Sequence, residues 1–314
     1  MKKNFWNNLK KPIIALAPMA GITDSSFRQI CKKFGADVVY SEMISVDGLN
    51  YLSAKTFELL KFEQKEKPIV IQLFGSKPEF FAKAAQVVQE VGADGVDINF
   101  GCPAPKVFKC GGGASLMKDL DLCYEIIKAT CSAVKIPVSI KIRSSVGKVT
   151  ALDLVKKIKN LPVAAIMVHG RRYEQVFSGE VDLAMIKKVK ENFRNIVLGN
   201  GGIINPHKAK ELLVQTKVDG LGLAQGILGK PWLFKQIKDY LKTGKFKEIK
   251  LAQIKKVALE HAALNYKLKG KQGILEMRKH LAWYFKGFSG AHDLRQKLIQ
   301  VNSLKEVKDI LGNL

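Results

Sequence analysis

The sequence predicts an α/β protein, a (β/α)8 TIM barrel followed by a small C-terminal all-α helical domain. Three observations carry this expectation. Eight short apolar runs, most of them rich in β-branched residues, recur between residues 13 and 224. Strands buried on both faces of a parallel sheet read this way. Helix-periodic segments separate the runs, and eight such pairs over about 240 residues match the size of a closed barrel. After Leu241 the strand-like runs stop and only helical periodicity continues. A doubly wound open sheet is the alternative, because a strand count does not establish closure.

The expected strands are Ile13–Ala17, Val38–Glu42, Ile69–Phe74, Val96–Asn99, Val138–Ile142, Ala164–Val168, Ile196–Gly199 and Gly220–Ala224. Among the helices between them Pro78–Val91 is the clearest. Phe81, Ala84, Ala85 and Val88 share one face, and Gly92 is placed to end it. Leu120–Val134, Ala151–Lys159, Asp182–Asn192, Pro206–Gln215 and Pro231–Leu241 follow the same pattern. Pro206 and Pro231 stand where a first helical turn accepts proline.

Residues 1–241 are thus assigned to the barrel and 242–314 to the helical unit, which opens with a lysine-rich link over 242–250. Four apolar stripes follow. They are Leu251, Ile254, Val257 and Ala258; Ile274, Met277, Leu281, Tyr284 and Phe285; Leu294, Leu298 and Val301; and Leu304, Val307, Ile310 and Leu311. Ser303 and Glu306 form a capping-box pattern before the last.

A chain of 314 residues, 47% hydrophobic, can fill a barrel core and an appendage. No apolar run is long enough to span a bilayer. Met1–Lys11 is basic but lacks the apolar core of a secretory signal. A cytoplasmic location without a membrane partner is expected. The five cysteines are odd in number and show no Cys-x-x-Cys spacing, so free thiols and no metal site are expected. Cys123 and Cys131 lie in a helical pattern and read as packing residues.

The formal net charge of +24 points to a polyanionic partner, nucleic acid or an anionic surface. Residues 240–314 hold 16 Lys and Arg against six Asp and Glu, a net of +10. The helical unit therefore carries more than its share of the excess.

Chemistry concentrates between Asp97 and Gly113. Val96, Ile98 and Phe100 alternate with Asp97 and Asn99 as a strand, which breaks at Gly101-Cys102-Pro103. Pro103 fixes its own φ and pushes Cys102 toward an extended backbone. Gly111, Gly112 and Gly113 predict a loop that moves or wraps around a ligand. A buried cysteine in a glycine-rich turn is the plainer alternative.

Other strand ends carry Pro18-Met19-Ala20, Gln72, Asn99, Lys141 and Arg143, and His169 and Arg171. Catalytic groups gather at that end of such barrels. The turns Asn200-Gly201-Gly202 and Ala224-Gln225-Gly226 follow the seventh and eighth strands, where such barrels often hold a phosphate. Walker, Gly-x-Gly-x-x-Gly and His-Glu-x-x-His patterns are absent.

Together these residues resemble the tRNA-dihydrouridine synthases. Residues 17–24, Ala-Pro-Met-Ala-Gly-Ile-Thr-Asp, are similar to the family's opening motif. Ser41-Glu42-Met43 and Gln72-Leu73-Phe74-Gly75 follow in order. Asn99-Phe100-Gly101-Cys102-Pro103, with Gly112-Gly113-Ala114-Ser115-Leu116, resembles the active-site motif. Lys141-Ile142-Arg143, His169-Gly170-Arg171 and Gly199-Asn200-Gly201 recur at the expected strands. Met277-Arg278-Lys279-His280 resembles the bacterial B-type branch. The resemblance covers nearly the whole chain.

It implies a monomer that binds FMN, takes electrons from NADPH (or NADH), and reduces the C5=C6 bond of particular uridines in tRNA. Cys102 is the implied proton donor to C5. An unperturbed thiol, with a pKa near ~8.5, is protonated at neutral pH and suits that role. Pro18, Met19, Ala20 and Gln72 match cofactor-contacting positions, with Lys141 beside the flavin. His169, Asn200, Gly201 and Gly202 serve the phosphate end, together with Ala224 and Gln225. Asn99 and Arg171 are the implied contacts to the uracil or nearby nucleotides. The helical unit is the implied tRNA-binding part.

The chain departs from the family pattern at three places. Ala224-Gln225 stands for the usual Gly-Arg, Gly202 for a frequent Asp, and Arg172-Tyr173 for Thr-Arg. Two rival readings are a flavin oxidoreductase acting on a free pyrimidine and a catalytically silent RNA-binding protein. The charge favours RNA over a free base, and Cys102, Lys141 and His169 argue against a silent protein.

Overall fold

The structure is a computed structural model and describes residues 4–176, 178–288 and 290–312. Its eight long strands are β1 (Ile13–Leu16), β2 (Val38–Ser45), β3 (Ile69–Phe74), β4 (Gly95–Phe100), β5 (Val138–Arg143), β6 (Val163–His169), β7 (Ile196–Asn200) and β8 (Gly220–Leu223). All pair in parallel with their sequence neighbours, and β1 also pairs with β8. That last pairing closes the barrel and removes the open-sheet alternative.

Side chains alternate across a strand with period two, and here that parity sorts chemistry from packing. On the outer face Ile71 and Leu73, Val96, Ile98 and Phe100, Ile140 and Ile142, and Ile166 and Val168 join the core beneath the helices. The opposite parity points into the barrel. Val70, Ala165, Met167 and Leu198 fill its lower interior with Tyr40 and Trp6. One step further along the strands come Gln72, Asn99, Lys141, His169 and Asn200, above the buried polar pair Asp97 and Ser139 on β4 and β5. Register aligns them: Asn99 pairs with Lys141, Arg143 with His169, and His169 with Asn200. A polar layer thus lies directly on an apolar plug.

Helices α1 (Ser25–Lys33), α2 (Pro78–Glu90), α3 (Leu120–Ala133), α4 (Ala151–Lys157), α5 (Leu183–Asn192), α6 (Pro206–Thr216) and α7 (Leu233–Thr243) connect the strands or follow the last of them. Asp24, Asp119, Thr150, Asp182 and Asn205 cap five of them through side-chain oxygens. Pro206 occupies a first helical turn as expected. Pro231 does not: α7 starts at Leu233 with Trp232 as its cap, so Pro231 belongs to the preceding turn. β2 runs past Glu42 to Ser45, with a register shift between Tyr40 and Met43.

The four expected C-terminal helical segments are present, the first two joined. Helix α8 (Leu251–Tyr284) is interrupted at Gly270, whose φ of 58° and ψ of −139° are non-helical. Asn265 Nδ2 donates to Gly273 O across the break, at 2.9 Å. Helices α9 (Ala291–Leu298) and α10 (Leu304–Gly312) follow. Ser303 Oγ accepts from Glu306 N at 3.2 Å, while Glu306 reaches back to Asn302 N rather than to the cap residue's own N–H. One apolar core holds these helices and includes Ile30 of α1 and Trp232.

Polar contacts set α8 across the barrel mouth. Lys269 Nζ bonds Asp24 Oδ2 at 2.6 Å, and Lys279 Nζ bonds Gly21 O. His261, fully buried, lies between Ser26 Oγ at 3.3 Å and Tyr284 OH at 3.1 Å. Gly229 makes the closest approach: a Cβ there would sit 2.1 Å from Trp283 O.

Gly229 and Gly92 both have left-handed backbones, with φ of 71° and 81°, but a Cβ at Gly92 would meet open space. Gly92→Ala is expected to cost about 1 kcal/mol, the backbone penalty alone. Gly229→Ala adds a clash with α8 and is expected to cost roughly 2–4 kcal/mol. Paired denaturant titrations check this, and equal losses would show that α8 does not depend on that approach.

Candidate active site

The fourteen residues singled out in the sequence all line one cavity of about 830 Å3 at the carboxyl ends of the strands. They come from seven of the eight strands or the turns that follow them, β2 contributing only Met43.

A chain of hydrogen bonds runs through its floor. Ser139 Oγ and Gln72 Nε2 both donate to the buried Asp97 carboxylate, at 2.6 and 2.7 Å. Asn99 Nδ2 donates to Gln72 Oε1 at 2.9 Å. Asn99 Oδ1 then accepts from the backbone N–H of Gly101 at 3.0 Å and of Cys102 at 2.8 Å. This last step is an Asx turn, and it fixes the backbone where β4 breaks.

From Cys102 the chain does not form an open loop. Pro105–Lys109 is a helical turn and Gly113–Lys118 a 3-10 turn. Ala114 N returns to Cys102 O at 3.1 Å. Gly113 permits that return, because its φ is 62° and a Cβ would meet Cys102 O at 2.9 Å. Of the three glycines in this stretch, Gly113 packs against the cysteine. Cys102 is half-buried and lines the cavity, whereas Cys110 is exposed and does not.

Arg143, 1% exposed, ties this segment to the one after β6. Its Nε donates to Gly101 O at 2.9 Å, Nη1 to Arg172 O at 2.9 Å, and Nη2 to Val176 O at 3.0 Å. The sequence marked Arg143 only as a polar strand end; its three carbonyl partners lie in loops that no local pattern brings together.

The cavity is positive. The Lys141 ammonium makes no hydrogen bond or ion pair among the described residues. Burial, and then Arg143, lower its pKa to about 8, against the opposing pull of Asp97. Burial first, and then Lys141, Arg143 and Arg171, hold the His169 imidazole far below its ordinary value, so it is neutral. Burial raises Asp97 to about 6 despite its two hydrogen bonds. Arg171 donates through Nε to Gly179 O at 2.8 Å.

Two turns close the other side. Asn200 Nδ2 donates to Gly222 O at 2.7 Å, joining β7 to β8. Gly201 has φ of 110°, and a Cβ there would touch the His169 ring at 2.9 Å. Gly226 lies so near Ile203 O that a Cβ would be 1.9 Å away. Backbone therefore forms this wall, beside the start of α6.

Trp283 was not anticipated. Among the described residues it alone brings the C-terminal helices into the cavity lining, and its ring packs edge-on against His280 at 5.1 Å. A signal was present: the indole lies off the stripe of Met277, Leu281 and Tyr284 that packs α8. Among the described residues no cluster of His, Cys, Asp or Glu could hold a metal ion. No helix among them is long and apolar enough to cross a membrane.

A family model described as "Dihydrouridine synthase (Dus)" matches residues 15–313. The chain is 36% identical over 299 residues to a probable tRNA-dihydrouridine synthase 1 of Synechocystis sp., covering 94% of this chain and 84% of that protein. It is 35% identical over 297 residues to tRNA-dihydrouridine synthase B of Pseudomonas aeruginosa, covering 93% and 89%. Among solved structures a morphinone reductase variant in complex with tetrahydroNAD shares the fold, with a TM-score of 0.51 at 12% identity over 80% of this chain and 92% of that one.

The lowered pKa of Lys141 means that the folded protein holds its charged form at a cost. That cost is full below about 8 and fades as pH rises toward the ordinary value of 10.5. Lys141→Met is therefore expected to be more stable than the parent at pH 7, on the order of 1–3 kcal/mol. The gain should shrink steadily above pH 8. Thermal denaturation of the ligand-free proteins across that range checks it, and a gain independent of pH would contradict the burial of an uncompensated ammonium.

Proposed function

This chain belongs to the dihydrouridine synthase family, and on that premise we propose how its cavity reduces the C5=C6 bond of uridines in tRNA as a flavin-dependent enzyme. The observation that carries the reading is Cys102, held at the broken end of β4 over a cavity whose other functional groups are cations, neutral amides, the His169 imidazole and backbone.

The residues present fit FMN as the flavin. An unpartnered Lys141 ammonium suits the electron-rich part of a flavin, and backbone at Asn200, Gly201 and Gly202 suits its phosphate. His169, neutral and packed against Gly201, gives that end a hydrogen-bonding ring without a second fixed charge. Gln225, in place of the family's usual arginine, leaves the phosphate more dependent on backbone and on the α6 N-terminus. Pro18, Met19 and Ala20 wall the cavity beside Gln72. Bound there and reduced by NADPH or NADH, the flavin supplies a hydride for uracil C6.

The chain's own residues do the rest. The target uridine leaves the tRNA stack to reach a cavity of this depth. Asn99 and Arg171 contact the uracil or the adjoining nucleotides, and Trp283 offers a face on which a base can stack. The Cys102 thiol gives its proton to C5, which completes the addition of two hydrogens, and the sulfur regains a proton from solvent. The basic helical unit, residues 242–314, supplies cations to the tRNA backbone.

A free pyrimidine as substrate leaves the +24 charge and the basic helices without a purpose. Cys102→Ala is expected to fold, to release FMN on denaturation and to accept electrons from NADPH at the parental rate. Its flavin should be reoxidised by unmodified tRNA about 10²–10⁴ times more slowly, the usual loss for a positioned general acid. Cys110→Ala should behave as the parent. Anaerobic stopped-flow absorbance of the flavin decides it; near-parental reoxidation in Cys102→Ala would show that the acid lies elsewhere.

A further inference from the structure

The hydrogen bonds beneath Cys102 run in one direction, and that direction has a single source. Gln72 and Asn99 are amides, each with a donor end and an acceptor end. Asp97, when ionised, offers acceptors only. Gln72 must therefore present its NH2 group to Asp97, and its oxygen faces Asn99. Asn99 must turn its own NH2 inward, which leaves its oxygen pointing out to two backbone N–H groups. Were either amide reversed, an NH2 group would meet those N–H groups, and the Asx turn would have no acceptor.

Asp97 is fully buried below the polar layer and does not line the cavity. It cannot touch substrate. Its neighbours Gln72 and Ser139 lie on the two flanking strands, paired with it residue for residue. The barrel register alone builds this arrangement.

We propose that Asp97 is a positioning residue for the reduction: its acceptor-only carboxylate sets the direction of the Gln72–Asn99 chain and so holds the backbone that presents the Cys102 thiol. The proposal rests on Cys102 being the proton donor only for its catalytic consequence. The positioning itself is measured without any turnover, so the two claims fail separately.

The test reverses the chain. Asn99→Asp places a second acceptor-only group at the other end, and one Gln72 amide cannot serve both carboxylates. Adding Asp97→Asn lets every bond reform, the two through Gln72 with opposite polarity. Asn at 97 accepts from Ser139 and donates to Gln72, and Gln72 donates to Asp at 99. That carboxylate still accepts from the Gly101 and Cys102 N–H groups. Adding Asp97→Ala instead removes the buried charge but supplies no donor. In a Cys110→Ser background the rate of Cys102 alkylation by iodoacetamide reports how firmly the segment is held.

Asn99→Asp is expected to raise that rate about tenfold, the equivalent of one lost hydrogen bond. Asn99→Asp with Asp97→Asn should return to within about threefold of the parent, while Asn99→Asp with Asp97→Ala should stay fast. Equal rescue by Asn and Ala would mean that only charge repulsion was relieved and would overturn the proposal, as would no rescue by Asn. If Asn99→Asp does not fold, Asp97→Ala alone serves. It frees Gln72 to turn and should also raise the rate about tenfold, and an unchanged rate would overturn the proposal.

Discussion

The site depends on one short contact, the 2.8 Å hydrogen bond from the Cys102 amide to the Asn99 side chain. A cysteine at the end of a barrel strand has no sheet partner for its own N–H. Left unbonded, that group would either draw water into the floor or let the backbone drift. The Asn99 oxygen removes both possibilities and places the thiol two residues beyond the strand. Arg143 secures the same turn from the other side by binding Gly101 O, so both faces of the break are satisfied. Two polar side chains of opposite kind, one accepting and one donating, thus replace the lost ladder.

Holding cations in that floor is costly, and the costs share a cause. Lys141, Arg143, Arg171 and His169 crowd a region with one buried carboxylate beneath it. Burial and mutual repulsion depress Lys141 and keep His169 neutral. Such excess positive charge is unfavourable for a core and favourable for an anionic, electron-rich guest. The same logic holds at larger scale. A net charge of +24 strains an isolated globule but suits a polyphosphate. Cavity and surface are therefore complementary to different parts of one complex, flavin within and tRNA without.

Much of this was legible in the sequence, for a physical reason. Period-two alternation in Val96–Phe100 and Val138–Arg143 already separates the apolar outer face from the polar inner one, and strand ends in such barrels converge. Residues spread from Pro18 to Gln225 could thus be assigned to one site before any geometry was known. What was not legible depended on tertiary docking. Trp283 reaches the cavity only because α8 crosses the mouth at Gly229, a contact 54 positions away in sequence. The Arg143 carbonyl partners lie in two loops, one after β4 and one after β6. Among the glycines at 111–113, Gly113 also provides clearance: a side chain there would strike Cys102. Glycine reports that a Cβ is unwelcome, and only the fold tells whether motion or close packing is the cause.

Uridine in tRNA is the substrate to which cavity and surface are matched. Purified protein, reconstituted with FMN and supplied with NADPH, can be given unmodified tRNA and, separately, free uridine. Nuclease digestion and mass spectrometry then show which nucleosides have changed. The expected result is a gain of two hydrogens at specific uridines of the tRNA and no comparable reduction of free uridine. Reduction of the free nucleoside with the tRNA left unchanged would contradict it.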